Sequence, residues 1–108
     1  MSYRLVYTDL AEENLREIAI RIGQDDIGFA IGYVEKIRAE ASNLIEFPNI
    51  GAIPRFAPAR KRGIRILVVD KYILQYVVDH SAQRVYVIKI SYGTQSQRKL
   101  FEIRNLCQ

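Results

Sequence analysis

Side chains that commonly carry out chemistry are scarce in this chain of 108 residues. It has one cysteine, Cys107, and one histidine, His80, so neither a structural zinc site nor a Cys–His nucleophile pair can be assembled from them. A single cysteine also excludes an internal disulfide framework. The sequence therefore predicts a domain that its apolar core stabilises and that holds no metal and no cofactor.

A cluster of cations is the second feature with chemical meaning. The run Arg60-Lys61-Arg62, with Arg55 shortly before it, follows a stretch rich in proline and glycine. Such a loop can hold a phosphate group or another polyanion, or can contact a target protein. A solvated loop or a contact with an inhibitory partner would use the same residue types, so the sequence leaves these alternatives open.

Charge is also divided along the whole chain. Residues 1–47 contain five basic and nine acidic residues, a balance of −4, and residues 48–108 contain eleven basic and three acidic residues, a balance of +8. The two sum to the net charge of +4. This asymmetry favours a surface that binds polyanions or acidic partners.

The hydrophobic pattern of the first half predicts a strand and two helices. The strand is Tyr3–Tyr7, the first helix begins at Thr8 or Asp9 and ends at Gly23, and the second begins at Asp25 or Asp26 and stops before Pro48. The short connection between the helices predicts an antiparallel hairpin. The second helix has an apolar stripe that includes Ile27, Ile31, Val34 and Ile37, and Phe29 lies on the opposite side as a candidate partner contact.

The second half predicts irregular chain over residues 48–62 and then three strands, Ile64–Asp70, Tyr72–Asp79 and Arg84–Tyr92. Their connections are short enough only for antiparallel hairpins. Ser96–Leu106 favours a short amphipathic helix. The fold class is therefore α+β, a single domain over residues 1–108 with the order β-α-α-β-β-β and an antiparallel sheet packed on a helical hairpin.

Side-chain alternation divides the three strands into two faces. One set is almost wholly apolar and is predicted to pack under the helices: Ile64, Ile66, Val68, Tyr72, Leu74, Tyr76, Val78, Tyr86, Ile88 and Ile90. The other set is also largely apolar, although a sheet covered on one side normally shows water a polar second face. Either the C-terminal segment or another chain is expected to cover this second set. A partner chain is favoured, because one short tail cannot easily cover three strands, and its contacts are expected at Leu67, Val69, Ile73, Gln75, Val77, Val85 and Val87.

No apolar signal-peptide region begins the chain, and no run approaches the ~20 apolar residues of a membrane span. We therefore expect a cytoplasmic protein without a membrane partner.

The order of the elements and several short strings resemble the ParE/RelE superfamily of bacterial type II toxins. The strings are Tyr3–Tyr7, Phe47-Pro48-Asn49-Ile50-Gly51, Gly63-Ile64-Arg65, Tyr72-Ile73-Leu74-Gln75-Tyr76 and Ser91-Tyr92-Gly93. This resemblance covers nearly the whole chain. It implies a RelE/ParE-like fold and a toxin held inactive in a hetero-oligomer with a cognate antitoxin, with no direct sequence-specific binding of nucleic acid.

The resemblance implies two alternative modes of action. Ribonuclease-type members cut mRNA on the ribosome with basic residues and a terminal Tyr or His. This chain has Ile73 where those members have Arg and Phe101 where the terminal Tyr would fall. The catalytic candidates that remain for such an enzyme are Tyr92, Arg65 and Lys89, because RNA cleavage needs an acid, a base and cations against the phosphorane.

The chain resembles the ParE branch more than it resembles the ribonuclease-type members, because members of the ParE branch lack that catalytic set. Members of this branch are generally associated with poisoning DNA gyrase, and they often carry His-Gly where this chain has Tyr92-Gly93. The favoured hypothesis is a binding toxin that is not an enzyme and has DNA gyrase as its target. A third reading is a non-toxic relative that has kept only the antitoxin-binding fold.

Overall fold

The structure, a computed structural model, describes residues 2–93. Its elements are, in chain order, β1 (Arg4–Tyr7), α1 (Asp9–Gly23), α2 (Ile27–Ala41), a 3₁₀ turn (Ser42–Ile45), α3 (Ala57–Lys61), β2 (Arg65–Val69), β3 (Tyr72–Asp79) and β4 (Arg84–Tyr92). The predicted order β-α-α-β-β-β is confirmed. The stretch predicted to be irregular contains α3, and the predicted helix Ser96–Leu106 lies outside the described residues.

Side-chain caps begin both long helices. The Thr8 hydroxyl accepts a hydrogen bond from the Ala11 amide at 3.2 Å, and the Asp26 carboxylate accepts one from the Phe29 amide at 3.0 Å. These bonds satisfy amides that the first turn of a helix otherwise leaves unpaired. The helices pack against each other as the predicted hairpin, and Arg38 of α2 donates a hydrogen bond to Glu12 of α1 at 2.9 Å.

The sheet has four strands in the order β1-β4-β3-β2. The pairs β2–β3 and β3–β4 are antiparallel as predicted, and β1 pairs with β4 in the parallel sense. The parallel pair arises because the helical hairpin and the rest of the chain separate β1 from β4, so β1 joins the sheet by a crossover rather than by a tight turn. We call the sheet face under α1 and α2 the helix face and the opposite one the outer face.

The predicted assignment of faces is correct for β3 and wrong for β2 and for most of β4. Val69, Val85 and Val87 are buried in the core cluster with the two long helices, and Leu67 packs against that cluster. A partner therefore cannot reach the three valines. Conversely Ile64 and Ile66, predicted to lie under the helices, belong with Ile88 to a second cluster on the outer face.

Strand register explains both errors. Val69 pairs with Tyr72 across a two-residue turn. Because paired residues share a face of the sheet, Val69 lies on the helix face with Tyr72. In β4 the register shifts opposite Gln75 and Tyr76. Ile88 is therefore an extra residue, and the alternation of side chains between the two faces is inverted between Val87 and Ile90. Strict alternation cannot reveal such a bulge.

The outer face is covered in part by this chain itself. Ala59 of α3 is buried against Ile64 and Ile66, and further apolar side chains pack on this cluster, namely Phe56, Ile73, Val77 and Ile88. The segment between α2 and β2 thus crosses to the outer face, where it takes part of the role that the sequence assigned to a partner.

Candidate functional site

The three candidate catalytic residues do not converge. Arg65 pairs with Tyr76, Lys89 pairs with Gln75, and Tyr92 pairs with Tyr72. Because paired residues share a face, Lys89 lies on the outer face with Gln75 and away from the other two. Arg65 and Tyr92 are separated by four residues along β3, about 13 Å at ~3.3 Å per residue.

Two of these candidates have structural contacts instead. The Arg65 guanidinium donates to the carbonyl oxygens of Gly51 at 2.8 Å and Asn49 at 3.2 Å. The Tyr92 ring packs edge-on against Tyr72 with their centroids 5.6 Å apart. His80 follows the end of β3, and its Nδ1 lies 2.8 Å from the Tyr3 hydroxyl.

The residues predicted to bind a polyanion do lie together. We call residues 47–62 the basic segment, which includes Arg55, α3 and the run through Arg62. Arg60 donates to the carbonyl oxygens of Arg55 at 2.9 Å and Pro54 at 3.4 Å, so the end of α3 is joined to the chain before it. All four predicted cations are exposed: Arg55, Arg60, Lys61 and Arg62.

Tyr76 anchors the start of the basic segment, a role that sequence reasoning missed. Its hydroxyl donates to the Pro48 carbonyl at 2.7 Å and accepts from the Gly51 amide at 2.9 Å. Burial raises the pKa of this phenol, so it stays protonated and can donate. The available signal was Gly51, a glycine within an otherwise apolar stretch, which is consistent with a close backbone approach.

A row of aromatic rings joins α2 to the sheet. Successive ring centroids along Phe29, Tyr33, Tyr72 and Tyr92 are 5.9, 6.0 and 5.6 Å apart. The Tyr33 hydroxyl donates to the Asp70 carboxylate at 2.6 Å. Asp70 has a φ of +54°, which Asp tolerates better than most residues, and it forms the β2–β3 turn.

The Tyr33–Asp70 bond predicts a pH dependence of stability. The hydrogen bond from Tyr33 lowers the pKa of Asp70, and burial together with this bond raises the pKa of Tyr33 to about 12. A carboxylate whose pKa is lowered by folding contributes stability above its unfolded pKa, about 4, and loses it as the pH falls through the folded pKa. In urea denaturation, the free energy of unfolding of the wild type is expected to exceed that of Tyr33→Phe at neutral pH, and the two values are expected to converge at acidic pH. A difference between them that does not change with pH would contradict this account.

The outward surface of the hairpin is apolar and exposed. The first two turns of α2, residues 27–34, contain no charged residue. Exposed fractions are 71% for Ile27, 61% for Phe29 and 60% for Ile31, and Ile20 of α1 is 64% exposed. We call Ile20, Ile27 and Ile31, which line one groove, the hairpin patch; Phe29 lies on the opposite side of α2, beside Tyr33. The prediction that Ile27 and Ile31 belong to the packed stripe is wrong.

A groove lies within this surface between the two helices. Its volume is about 390 Å³, and its lining includes Ile20, Ile27, Ala30 and Ile31. Gly32 faces outward with open space where a side chain would be. A partner helix could therefore approach the α2 backbone closely at this point.

Most of the residues predicted to bind an antitoxin are not available on an open face. Gln75 is buried, and Ile73 and Val77 pack against the outer-face cluster beneath α3. Leu67, Val69, Val85 and Val87 belong to the helix face, as described above. Of the predicted set, Phe29 alone is largely exposed.

Residues 2–93 contain neither a metal-binding cluster nor a membrane-spanning helix. No group of three His, Cys, Asp or Glu side chains in that range is arranged to hold a metal ion. No described helix is long and apolar enough to cross a membrane.

The fold is similar to that of chains in two toxin–antitoxin structures and of an isolated toxin. In the chromosomal ParDE system of P. aeruginosa, one chain superposes with a TM-score of 0.68 at 19% identity, covering 83% of this chain and 95% of that one. A chain of the RelBE2 toxin–antitoxin complex of Mycobacterium tuberculosis gives 0.56 at 22% identity, covering 85% and 99%. The isolated E. coli RelE toxin gives 0.60 at 17% identity, covering 96% and 98%.

Sequence comparison identifies the family. The profile of the ParE toxin of the type II toxin–antitoxin system, parDE, matches residues 5–97. The chain belongs to this family. No curated protein sequence matches it significantly.

Proposed function

We propose that this chain is a binding toxin that inhibits growth by poisoning DNA gyrase and is neutralised by a cognate antitoxin. The observation that carries the proposal is the distribution of its exposed side chains. The catalytic candidates Tyr92, Arg65 and Lys89 lie at different ends and faces of the sheet, whereas the hairpin patch and the basic segment are exposed surfaces on which a partner can dock. A binding toxin needs such surfaces and no acid–base pair.

The antitoxin contact is assigned to the hairpin patch. An exposed surface with three large apolar side chains and no charge along two turns of α2 matches a partner helix with an apolar stripe. Phe29, exposed on the opposite side of α2, is a separate candidate contact beside the aromatic row. The ParDE and RelBE2 structures, to which this chain is similar, contain a toxin together with an antitoxin.

A supercoiling assay with purified gyrase tests the target directly. The purified toxin is expected to inhibit supercoiling by gyrase and to leave translation in a cell-free ribosomal system unaffected. Toxin that is mixed with its antitoxin before gyrase is added should leave supercoiling unaffected. Cleavage of ribosome-bound mRNA with intact gyrase activity would replace the proposal with the ribonuclease alternative, and inactivity in both assays would favour the non-toxic relative.

Tyr92→Phe is expected to leave growth inhibition within about twofold of wild type. The Tyr92 ring keeps its edge-on contact with Tyr72 when the hydroxyl is removed, whereas a catalytic hydroxyl would contribute orders of magnitude. The measurement is the viable count after induction at matched toxin levels. Tyr72→Phe is the matched control, since it removes a hydroxyl from the neighbouring ring. A loss confined to Tyr92→Phe would identify Tyr92 as an acid–base group.

A further inference from the structure

The basic segment combines exposed large apolar side chains with exposed cations. Phe47, Ile50 and Ile53 are exposed at 61%, 55% and 58%. The chain from residue 47 to residue 69 has no Asp or Glu, and its cations are Arg55, Arg60, Lys61, Arg62 and Arg65. Large apolar groups and a net positive charge therefore share one continuous stretch of the chain.

The sheet holds this segment in place. Ala52 exchanges two backbone hydrogen bonds with Ile66, at 2.8 and 2.9 Å. The Tyr76 hydroxyl and the Arg65 guanidinium bind the backbone on either side of Gly51, and Ala59 of α3 is buried on the outer face. A surface that is ordered before binding loses less conformational entropy when a partner docks.

The basic segment is remote from the hairpin patch. The patch lies at the N-terminal end of α2, and the segment begins beyond its C-terminal end; 15 residues of helix span ~22 Å. α3 also packs on the outer face of the sheet, whereas α1 and α2 pack on the helix face. The two surfaces can therefore contact different partners.

We propose that the basic segment is the target-recognition surface and that its ligand is an acidic protein segment with apolar side chains, not a nucleic-acid backbone. This inference deepens the proposed function and rests on it for the identity of the target. Phosphates use no aliphatic groups, and two of the three exposed apolar residues, Ile50 and Ile53, offer neither charge nor a stacking ring to a nucleic acid, so that Phe47 alone could stack on a base. An acidic peptide with apolar anchors uses both groups, because charges complement the arginines while the apolar anchors cover the isoleucines.

Binding of synthetic probes to the purified toxin tests the chemistry without gyrase. The probes are a short labelled peptide of Glu interspersed with Leu, the same peptide with Ser for Leu, and a labelled DNA duplex, each measured by fluorescence anisotropy at several salt concentrations. The Glu/Leu peptide is expected to bind about tenfold or more tightly than the Glu/Ser peptide. Ile50→Ser/Ile53→Ser should remove that difference, and Lys61→Glu/Arg62→Glu should weaken both peptides.

Leu10→Ser is the control, since it removes an exposed aliphatic side chain of α1 that belongs to neither the basic segment nor the hairpin patch and should leave all probe binding unchanged. Equal binding of the two peptides, or tighter binding of the duplex that only the charge variant weakens, would overturn the inference in favour of a nucleic-acid backbone. Inhibition of gyrase by the same variants separates the two claims. If the toxin prefers the Glu/Leu peptide but leaves gyrase active, gyrase is refuted as the target, while the inference about the ligand of the basic segment stands.

Discussion

Replacing Gly51 by alanine is expected to lower the free energy of unfolding by about 3 kcal/mol. A Cβ at this position would lie 2.6 Å from both the Ile66 carbonyl oxygen and the Tyr76 hydroxyl. Neither neighbour can move freely, because Ile66 pairs with Ala52 through two backbone hydrogen bonds and the Tyr76 ring is fully buried. Urea denaturation followed by circular dichroism measures the change.

Gly32→Ala provides the matched control for this variant. Gly32 lies within α2 with no atom near the position of an added Cβ, so alanine should stabilise the protein by roughly 0.5–1 kcal/mol through its higher helix propensity. The two glycine variants should therefore shift stability in opposite directions. A Gly51→Ala protein as stable as wild type would show that the segment at Gly51 does not approach the sheet as described.

Tyr76→Phe is expected to cost about 2–4 kcal/mol, since it leaves the buried Gly51 amide and the Pro48 carbonyl without their partner. The ring itself stays in the core, so the loss reports the hydroxyl alone. Chemical denaturation of the two proteins gives the difference. Combining Tyr76→Phe with Gly51→Ala should cost less than the sum of the single variants, because the added methyl no longer meets the hydroxyl.

Tyr33→Phe is the corresponding control for Tyr76→Phe. It also removes a hydroxyl that donates a hydrogen bond, but the bond from Tyr33 to Asp70 is exposed to solvent. Water can replace the lost partner there, so its cost at neutral pH should be clearly smaller than that of Tyr76→Phe. Equal costs would contradict the assignment of Tyr76 as the buried anchor of the basic segment.

Local sequence signals predicted the elements because their causes are local. The hydroxyl of Thr8 and the carboxylate of Asp26 cap the helices where the capping rules placed them. The face assignment failed because it depends on pairing between distant residues: the Val69–Tyr72 pair and the extra residue at Ile88 are properties of the register, which no single strand encodes.

The candidate site was predictable only in part for a similar reason. Consecutive cations made the basic segment visible, and Phe29 was recognised because it lies opposite the apolar stripe of α2. Ile27 and Ile31 were misassigned because helical periodicity shows which residues share a side but not how far the neighbouring helix covers it. The contacts of Tyr76 and Arg65 with residues 48–51 required the tertiary structure, since these bonds span 14 to 28 positions.

The central claim, a binding toxin directed at gyrase, is tested most directly by pulse-labelling bacteria after tightly controlled induction of this chain. Incorporation of labelled thymidine and labelled methionine is followed separately during the first minutes, with Tyr92→Phe induced in parallel. Our account predicts that DNA synthesis falls first, that a DNA-damage response follows, and that Tyr92→Phe behaves like wild type. An initial collapse of protein synthesis, absent in Tyr92→Phe, would contradict it and establish the ribonuclease mechanism.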